Sequence, residues 1–178
     1  MASALLVIDV QRGLFETQPP PAEADAVIAR INALAERARA AGVAVIFVQH
    51  ERDGTPLQHG SPAWGLDARL QVRDGDRFVA KTTPDAFLRT DLQSQLQELG
   101  VDRVVIAGYA SEFCVDTSVR AAAALGYSVV LAADAHTTHD KPHADAVFIR
   151  AHHNATLPQV SSFGPVIRAL NADAIAFA

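Results

Sequence analysis

The chain has 178 residues, of which 49% are hydrophobic, and its formal net charge is −5. A chain of this size typically forms one domain around a single core, so we expect one domain spanning residues 1–178. Lys and Arg form no cluster of more than two adjacent residues, which argues against a nucleic-acid-binding surface.

The sequence gives no indication of a membrane segment. The apolar run at residues 4–8 is far shorter than the roughly 20 residues that cross a bilayer. No charged leader precedes it, unlike in a secretory signal. Cys114 is the single cysteine, so no internal disulfide can form. A lone thiol suits a reducing compartment, and we therefore expect a cytoplasmic protein with Cys114 as a candidate nucleophile.

Short apolar runs and amphipathic segments alternate along the chain. Runs of strand length are found at residues 4–8, 43–48, 77–81, 104–107 and 127–132. Helical spacing or capping residues are found at residues 22–41, 90–100, 111–125, 142–157 and 163–171. In this interpretation Ser111 caps one helix and Pro142 lies in the first turn of another. The alternation predicts an α/β protein, a single-domain three-layer α/β/α fold with a mainly parallel, Rossmann-like sheet.

Three reactive side chains lie where predicted strands end. Asp9 follows the first strand, Lys81 ends the third, and Cys114 lies in the turn after the fourth. Functional groups of such folds gather beyond the carboxyl ends of the strands, so these residues are expected on one rim of the sheet. Each also has a structural interpretation. Asp9 suits a helix cap or an ion pair, Lys81 a solvated side chain, and Cys114 a small buried apolar residue.

Cys114 is expected in the first turn of its helix. Unpaired N–H groups and the positive end of the helix dipole stabilise a thiolate there, and a nearby Lys81 ammonium does the same. A buried Asp9 carboxylate needs a partner such as this lysine. The three residues together therefore favour an activated thiol.

The motifs that contain these residues resemble those of the isochorismatase-like cysteine hydrolases, a superfamily that includes nicotinamidases and other small amidases. They are LLVIDVQ at residues 5–11, KTTPDAF at 81–87 and GYASEFCV at 108–115. The resemblance extends through Thr90–Leu92, Thr117, Arg120, Gly126–Tyr127 and Asp134–Ala135, in the order of the family and over nearly the whole chain.

The resemblance implies a catalytic triad of Asp9, Lys81 and Cys114. It implies a thiolate that attacks a carbonyl carbon, and an acyl-enzyme hydrolysed by water that Asp9 activates. The backbone N–H groups of Ala110 and Cys114 would form the oxyanion hole, next to a cis peptide between Tyr109 and Ala110. Family members are often oligomers, which implies a homodimer or homotetramer.

Two departures from relatives in the superfamily narrow the expected chemistry. Nicotinamidases hold a metal with an Asp-x-His pair and a further His, and residues 49–53 with His59 do not reproduce that spacing. We therefore expect no metal and no cofactor and interpret this stretch as a solvated or pocket-lining loop, with His50, Asp53 and His59 as the alternative zinc ligands. Isochorismatases that cleave a vinyl ether lack the cysteine, so Cys114 favours an amide or related C–N bond of a small molecule.

Several residues are candidates for contacts to the substrate. We expect this role for Gln11, Phe15, Trp64, Tyr109, Glu112 and Phe113. Glu112 and Phe113 are also candidates for a subunit contact. The histidines His136, His139 and His143 follow a strand end, and we interpret them as a solvated loop rather than a metal cluster.

Three alternatives to an amidase stay open at this point. One is a vinyl-ether hydrolase that does not need the thiol, and another is a non-enzymatic, ligand-binding or oligomeric member of the fold. The last treats Cys114 as a redox-responsive thiol, because an activated thiolate is also easily oxidised.

Overall fold

A single parallel sheet organises the protein, as seen in a computed structural model that describes residues 2–177. Its strand order is β3-β2-β1-β4-β5-β6, and every pairing is parallel. The strands are β1 (Ser3–Ile8), β2 (Ala44–His50), β3 (Arg77–Lys81), β4 (Arg103–Tyr109), β5 (Ser128–Thr137) and β6 (Ile167–Leu170). This order is that of a Rossmann-like sheet, so the predicted fold class is confirmed.

Helices cover both faces of this sheet and complete three layers. They are α1 (Arg12–Phe15), α2 (Ala24–Ala40), α3 (Leu92–Glu98), α4 (Asp116–Ala124) and α5 (Ala146–Thr156). Residues of β1 alternate between two apolar cores. Leu5 and Val7 join the core under α2, whereas Leu6 and Ile8 join the core under α3 and α4. Because β1 is buried on both faces, its sequence is an almost continuous apolar run.

One predicted helix is a strand. The segment at residues 163–171 contains no helix but includes β6, which pairs with β5 through Val129 and Ile167 and buries Ile167 at the sheet edge. The strand has only four residues, and its pairing partner lies far away in sequence. Tertiary pairing therefore decides its conformation over local spacing.

Two predicted helix starts are also wrong. Helix α5 begins at Ala146 rather than near Pro142, because the Asp145 side chain accepts a 2.7 Å hydrogen bond from the Phe148 N–H and caps the helix there. Ser111 caps no helix. Residues Ser111–Val115 form one π-helical turn ahead of α4, and no side chain caps it.

The sheet reverses its order between β1 and β4, which is where such folds usually bind ligands. Gly108, near the end of β4, has a φ of +122°, and a Cβ there would lie 2.0 Å from the Ile8 carbonyl oxygen. Only glycine fits this close approach of two backbones. The register of β4 against β5 shifts between Ile106 and Gly108, and β4 ends at Tyr109, just before the turn that carries Cys114.

No helix within residues 2–177 is both long enough and apolar enough to cross a membrane.

Candidate active site

The structure brings Asp9, Lys81 and Cys114 together, and we refer to them as the thiol cluster. Lys81 Nζ lies 2.8 Å from Asp9 Oδ2 and 3.2 Å from Cys114 Sγ. The side chains of Lys81 and Asp9 are 0% and 2% exposed, so the ion pair is almost fully withdrawn from water. Asp9 directly follows β1 with a φ of +53°, and its N–H donates to the Val48 carbonyl. A carboxylate buried to this degree requires a charged partner.

Hydrogen-bond donors and acceptors are unevenly matched in this cluster. The Lys81 ammonium has three N–H donors but contacts four groups, since His50 Nδ1 at 3.2 Å and the Thr83 carbonyl at 3.1 Å join Asp9 and Cys114. By contrast, Asp9 Oδ1 is a buried acceptor that has no hydrogen-bond donor. Lys81 therefore cannot satisfy all its neighbours at once, and Asp9 retains a free oxygen able to accept a proton.

The thiol of Cys114 is protonated at rest, contrary to the activated thiolate expected from the sequence. Burial, and then the negative charge of Asp9, raise the pKa of Cys114 to about 12, and Lys81 offsets only part of this increase. The expectation considered Lys81 and the helix dipole but not the desolvation of the thiol. Activation of this thiol thus requires removal of its proton at the moment of attack.

Cys114 lies in the π-helical turn rather than in an ordinary first helical turn. The Val115 N–H donates to the Ala110 carbonyl at 3.1 Å, five residues back. The peptide bond between Tyr109 and Ala110 is cis, as the resemblance implies. Ala110, expected to contribute to the oxyanion hole, is buried beside the thiol.

A small cavity opens on the thiol cluster. Its volume is about 220 Å³, and it is lined by Asp9, Leu14, His50, Leu57, Pro84, Tyr109, Ala110, Phe113 and Cys114. Both residues expected in the oxyanion hole are in this lining. Of the residues expected to contact substrate, Tyr109 and Phe113 line it, and Phe113 is 54% exposed.

Gln11 and Trp64 support the walls of the cavity instead of lining it. The Gln11 side chain donates to the carbonyls of His50 and Trp64 and accepts from the His50 N–H at 2.8 Å. These bonds join the ends of β1 and β2 to the loop after β2. The Trp64 ring lies against His59, with 4.3 Å between the ring centroids.

Phe15 and Glu112 also lie outside the lining. Phe15 is buried and packs edge-to-face on Tyr109 with ring centroids 5.8 Å apart, so it supports a wall residue. Glu112 accepts a hydrogen bond from Thr138 at 2.9 Å and pairs with Lys141 at 3.1 Å. Its carboxylate is therefore turned toward β5 and the loop that follows.

The sequence interpretation did not name Leu14, Leu57 or Pro84 as lining residues, and it gave His50 only as part of a solvated or pocket-lining loop. His50 ends β2 in register with Lys81, and its position at a strand end is a signal that could have identified it. Burial, and then Lys81, lower the pKa of His50, so its ring is neutral near pH 7. Leu14, Leu57 and Pro84 come from a short helix and two loops, and their apolar side chains carry no local signal for a site.

His136 is fully buried, so the interpretation of residues 136–143 as a solvated loop is wrong for it. His136 Nδ1 lies 2.8 Å from Ser111 Oγ, and His136 Nε2 lies 2.9 Å from Asn154 Oδ1. The Asn154 amide nitrogen donates to the Ala133 carbonyl, so its oxygen must accept from Nε2. Nδ1 then accepts from the Ser111 hydroxyl. We call Ser111, His136 and Asn154 the histidine chain, and burial lowers the pKa of its imidazole to about 4.

His139 is also engaged rather than solvated. Its Nδ1 lies 2.9 Å from the Tyr109 hydroxyl and its Nε2 lies 2.8 Å from Thr17 Oγ1. Burial, and then Lys141, lower the pKa of His139. His143 is exposed, as the sequence interpretation expected.

The alternative zinc ligands do not converge. His50 Nδ1 faces Lys81, whereas His59 Nδ1 lies 2.8 Å from Glu51 Oε2. Within the described range 2–177, no three His, Cys, Asp or Glu side chains are grouped so that they could hold a metal ion.

Comparison with known proteins places this chain in a family. The Isochorismatase domain matches residues 3–167. Streptothricin hydrolase of Streptomyces noursei is 36% identical over 145 residues, which cover 81% of this chain and 58% of that protein. Nicotinamidase 3 of Arabidopsis thaliana is 29% identical over 152 residues, covering 76% of this chain and 73% of that protein. The expected amidase type agrees with these names.

A solved structure supports the same conclusion. The crystal structure of an isochorismatase family protein superposes with a TM-score of 0.86 at 35% identity, covering 95% of this chain and 98% of that one. The chain spans 51% to 58% of the length of the two streptothricin hydrolases it matches. Domain match, sequence identity and superposition agree, and the chain belongs to the isochorismatase family.

Proposed function

We propose that this protein is a cysteine hydrolase that cleaves an amide or related C–N bond of a small molecule through a covalent acyl-enzyme. The observation that carries the proposal is the thiol cluster at the wall of a cavity. It combines a nucleophile, a carboxylate with a free oxygen and a buried ammonium within hydrogen-bond reach of both. This arrangement provides an activated nucleophile together with its base.

In the first half-reaction, Asp9 takes the thiol proton while Cys114 Sγ forms a bond to the carbonyl carbon. Lys81 stays paired with the carboxylate and donates to the sulfur, which stabilises negative charge as the proton leaves. The backbone N–H groups of Ala110 and Cys114 stabilise the oxyanion of the tetrahedral intermediate. The C–N bond then breaks, and the leaving nitrogen takes the proton from Asp9.

In the second half-reaction, water replaces the departed amine. Asp9 takes a proton from this water as its oxygen attacks the thioester carbon. The C–S bond breaks, the sulfur recovers the proton, and a carboxylic acid leaves. Asp9 thus passes one proton from Cys114 to the leaving nitrogen and a second from water to the sulfur, which fits a thiol whose raised pKa keeps it protonated at rest.

The raised pKa argues against the redox-responsive alternative, because the thiolate is the form that oxidises readily. The vinyl-ether alternative does not use the thiol, so one substitution separates it from the proposal. The cytoplasmic location, the homodimer or homotetramer and the absence of nucleic-acid or membrane partners stay predictions.

The test is turnover of a panel of small primary amides, measured as released ammonia, in wild type and Cys114→Ala. We expect turnover in wild type, none above background in the variant, and a mass increase of one acyl group on wild type quenched in acid. Turnover retained in Cys114→Ala would favour the thiol-independent alternative. Absence of both turnover and acyl adduct across the panel would contradict the proposal.

A further inference from the structure

We infer that the cavity selects an uncharged, apolar acyl group and excludes acyl groups that carry a carboxylate. This inference rests on the proposed function and names its substrate class. It follows from three features of the cavity: its size, its apolar walls, and the ion pairs that Lys81 and Lys141 already form.

The cavity is small. Ligand pockets that enclose drug-sized molecules measure about 300 to 1,000 Å³, whereas this one measures about 220 Å³. Since a water molecule occupies roughly 30 Å³ of liquid, the volume corresponds to about seven water-sized groups. The cavity therefore holds a short acyl chain together with the scissile carbonyl, while a larger leaving group would extend past the exposed Phe113 ring.

The walls beyond the thiol cluster are apolar. Leu14, Leu57, Pro84 and Phe113 present hydrocarbon, and the hydroxyl of Tyr109 already bonds His139 at 2.9 Å. No lysine or arginine is among the described residues that line the cavity. A carboxylate placed against these walls would lose water without gaining a donor, which is a large unfavourable contribution to binding.

Two lysines near the cavity are already paired. Lys81 is held by Asp9 at 2.8 Å beneath the thiol. Lys141 lies 5.5 Å from the centre of the Phe113 ring and forms a 3.1 Å ion pair with Glu112. The His50 ring is neutral near pH 7, because burial and Lys81 lower its pKa. A substrate carboxylate would have to displace Asp9 or Glu112 to pair with either lysine.

The first test compares two amides of matched size and shape. In 4-methylpentanamide an isopropyl group stands where succinamate has a carboxylate. We expect the kcat/KM of wild type to be at least about 100-fold higher for the neutral amide. Equal turnover of the two amides, or faster turnover of succinamate, would overturn the inference.

The second test needs no turnover and thus separates failure of this inference from failure of the proposed function. Iodoacetamide and iodoacetate differ by one charge and both alkylate Cys114. The quantity compared is the alkylation rate with iodoacetamide divided by the rate with iodoacetate. We expect this rate ratio to be at least about tenfold higher for the folded protein than for the same chain unfolded in urea. If neither amide is hydrolysed but this preference holds, the hydrolase proposal fails and the selectivity of the cavity stands. If the preference is absent, the inference is wrong even for an active hydrolase.

A cation introduced into the wall should reverse the selectivity. In Leu57→Arg we expect kcat/KM for succinamate to rise at least about tenfold relative to that for 4-methylpentanamide. We also expect the alkylation rate with iodoacetate to rise at least about tenfold relative to that with iodoacetamide. Val72→Arg is the matched control, because Val72 is exposed in the loop before β3 and does not line the cavity. An equal shift in both variants would show that surface charge, rather than the cavity wall, controls selectivity.

Discussion

Two buried polar clusters share the turn Ser111–Val115, and they differ in how completely their hydrogen bonds are satisfied. The thiol cluster holds Cys114 at one end of the turn, and the histidine chain holds Ser111 at the other. In the histidine chain each ring nitrogen has one partner of the complementary type, and Asn154 anchors the chain on a backbone carbonyl. The thiol cluster has a surplus of acceptors around Lys81 and a free oxygen on Asp9.

This difference shows that burial of titratable side chains does not by itself mark a reactive site. Both clusters contain groups that are fully buried, and in both burial shifts a pKa toward the neutral form. The thiol cluster reaches a cavity and has capacity to accept a proton, whereas the histidine chain does neither. We therefore expect changes to the first to affect catalysis and changes to the second to affect stability.

The largest expected effect is on catalysis in Asp9→Asn. The amide keeps the shape of the carboxylate but cannot take the thiol proton, so kcat/KM for an amide substrate should fall about 10³-fold or more. Steady-state ammonia release measures this. Asp67→Asn is the control, because Asp67 is equally buried but pairs with Arg69 away from the cavity. Retention of a tenth of wild-type activity in Asp9→Asn would contradict the role of Asp9 as base.

The next largest effect concerns His136, which should lower the free energy of unfolding as the pH falls. Its pKa of about 4 in the folded protein lies below the ordinary value of 6.5, so the folded state favours the neutral ring. The unfolded chain takes up the proton first as the pH falls. About 3 kcal/mol of the free energy of unfolding should therefore be present above pH 6.5 and be lost by pH 4.

Urea titrations across this pH range measure the effect. His136→Gln should be less stable at pH 7 but lose less stability on acidification, whereas the exposed His143→Gln should follow wild type. Identical acid dependence of His136→Gln and wild type would show that other groups control unfolding in acid.

The sequence was sufficient to place Asp9, Lys81 and Cys114 on one rim of the sheet. Asp9 follows an apolar strand, Lys81 ends a short strand, and Cys114 lies in the turn after another apolar strand. The sequence was insufficient for β6, where a four-residue edge strand depends on pairing with β5. It was also insufficient for His136, a polar residue late in a strand whose partners lie 25 and 18 residues away in sequence. Conformations set by distant partners leave no local pattern.

The sign of the Cys114 pKa shift could not be predicted from the sequence either. Helix position and a nearby lysine both lower a thiol pKa. Burial and the close Asp9 carboxylate raise it, and their sizes depend on distances that only the structure provides.

A third prediction concerns Asp9 and Lys81, whose substitution should change the alkylation rate of Cys114 in opposite directions. Because Asp9 raises and Lys81 lowers the pKa of Cys114, iodoacetamide should alkylate Asp9→Asn faster than wild type and Lys81→Met more slowly at pH 8. Each change should be about tenfold, the equivalent of one pKa unit. Circular dichroism of each variant controls for unfolding. Slower alkylation in both variants would instead indicate that Asp9 removes the thiol proton during alkylation as well.

The smallest expected effect on catalysis concerns Ser111, which connects the two clusters through the turn. Ser111→Ala removes the hydroxyl donor to His136 and leaves Nδ1 without its partner, so the free energy of unfolding should fall by about 1 to 3 kcal/mol. The turn is also held by the Val115-to-Ala110 backbone bond, and the thiol keeps its contact with Lys81. We therefore expect kcat and KM within about threefold of wild type for the folded variant. A tenfold fall in kcat with the folded structure intact would mean that the histidine chain positions the nucleophile. The two clusters could then not be divided into one that is reactive and one that is structural, because Ser111 would serve both roles.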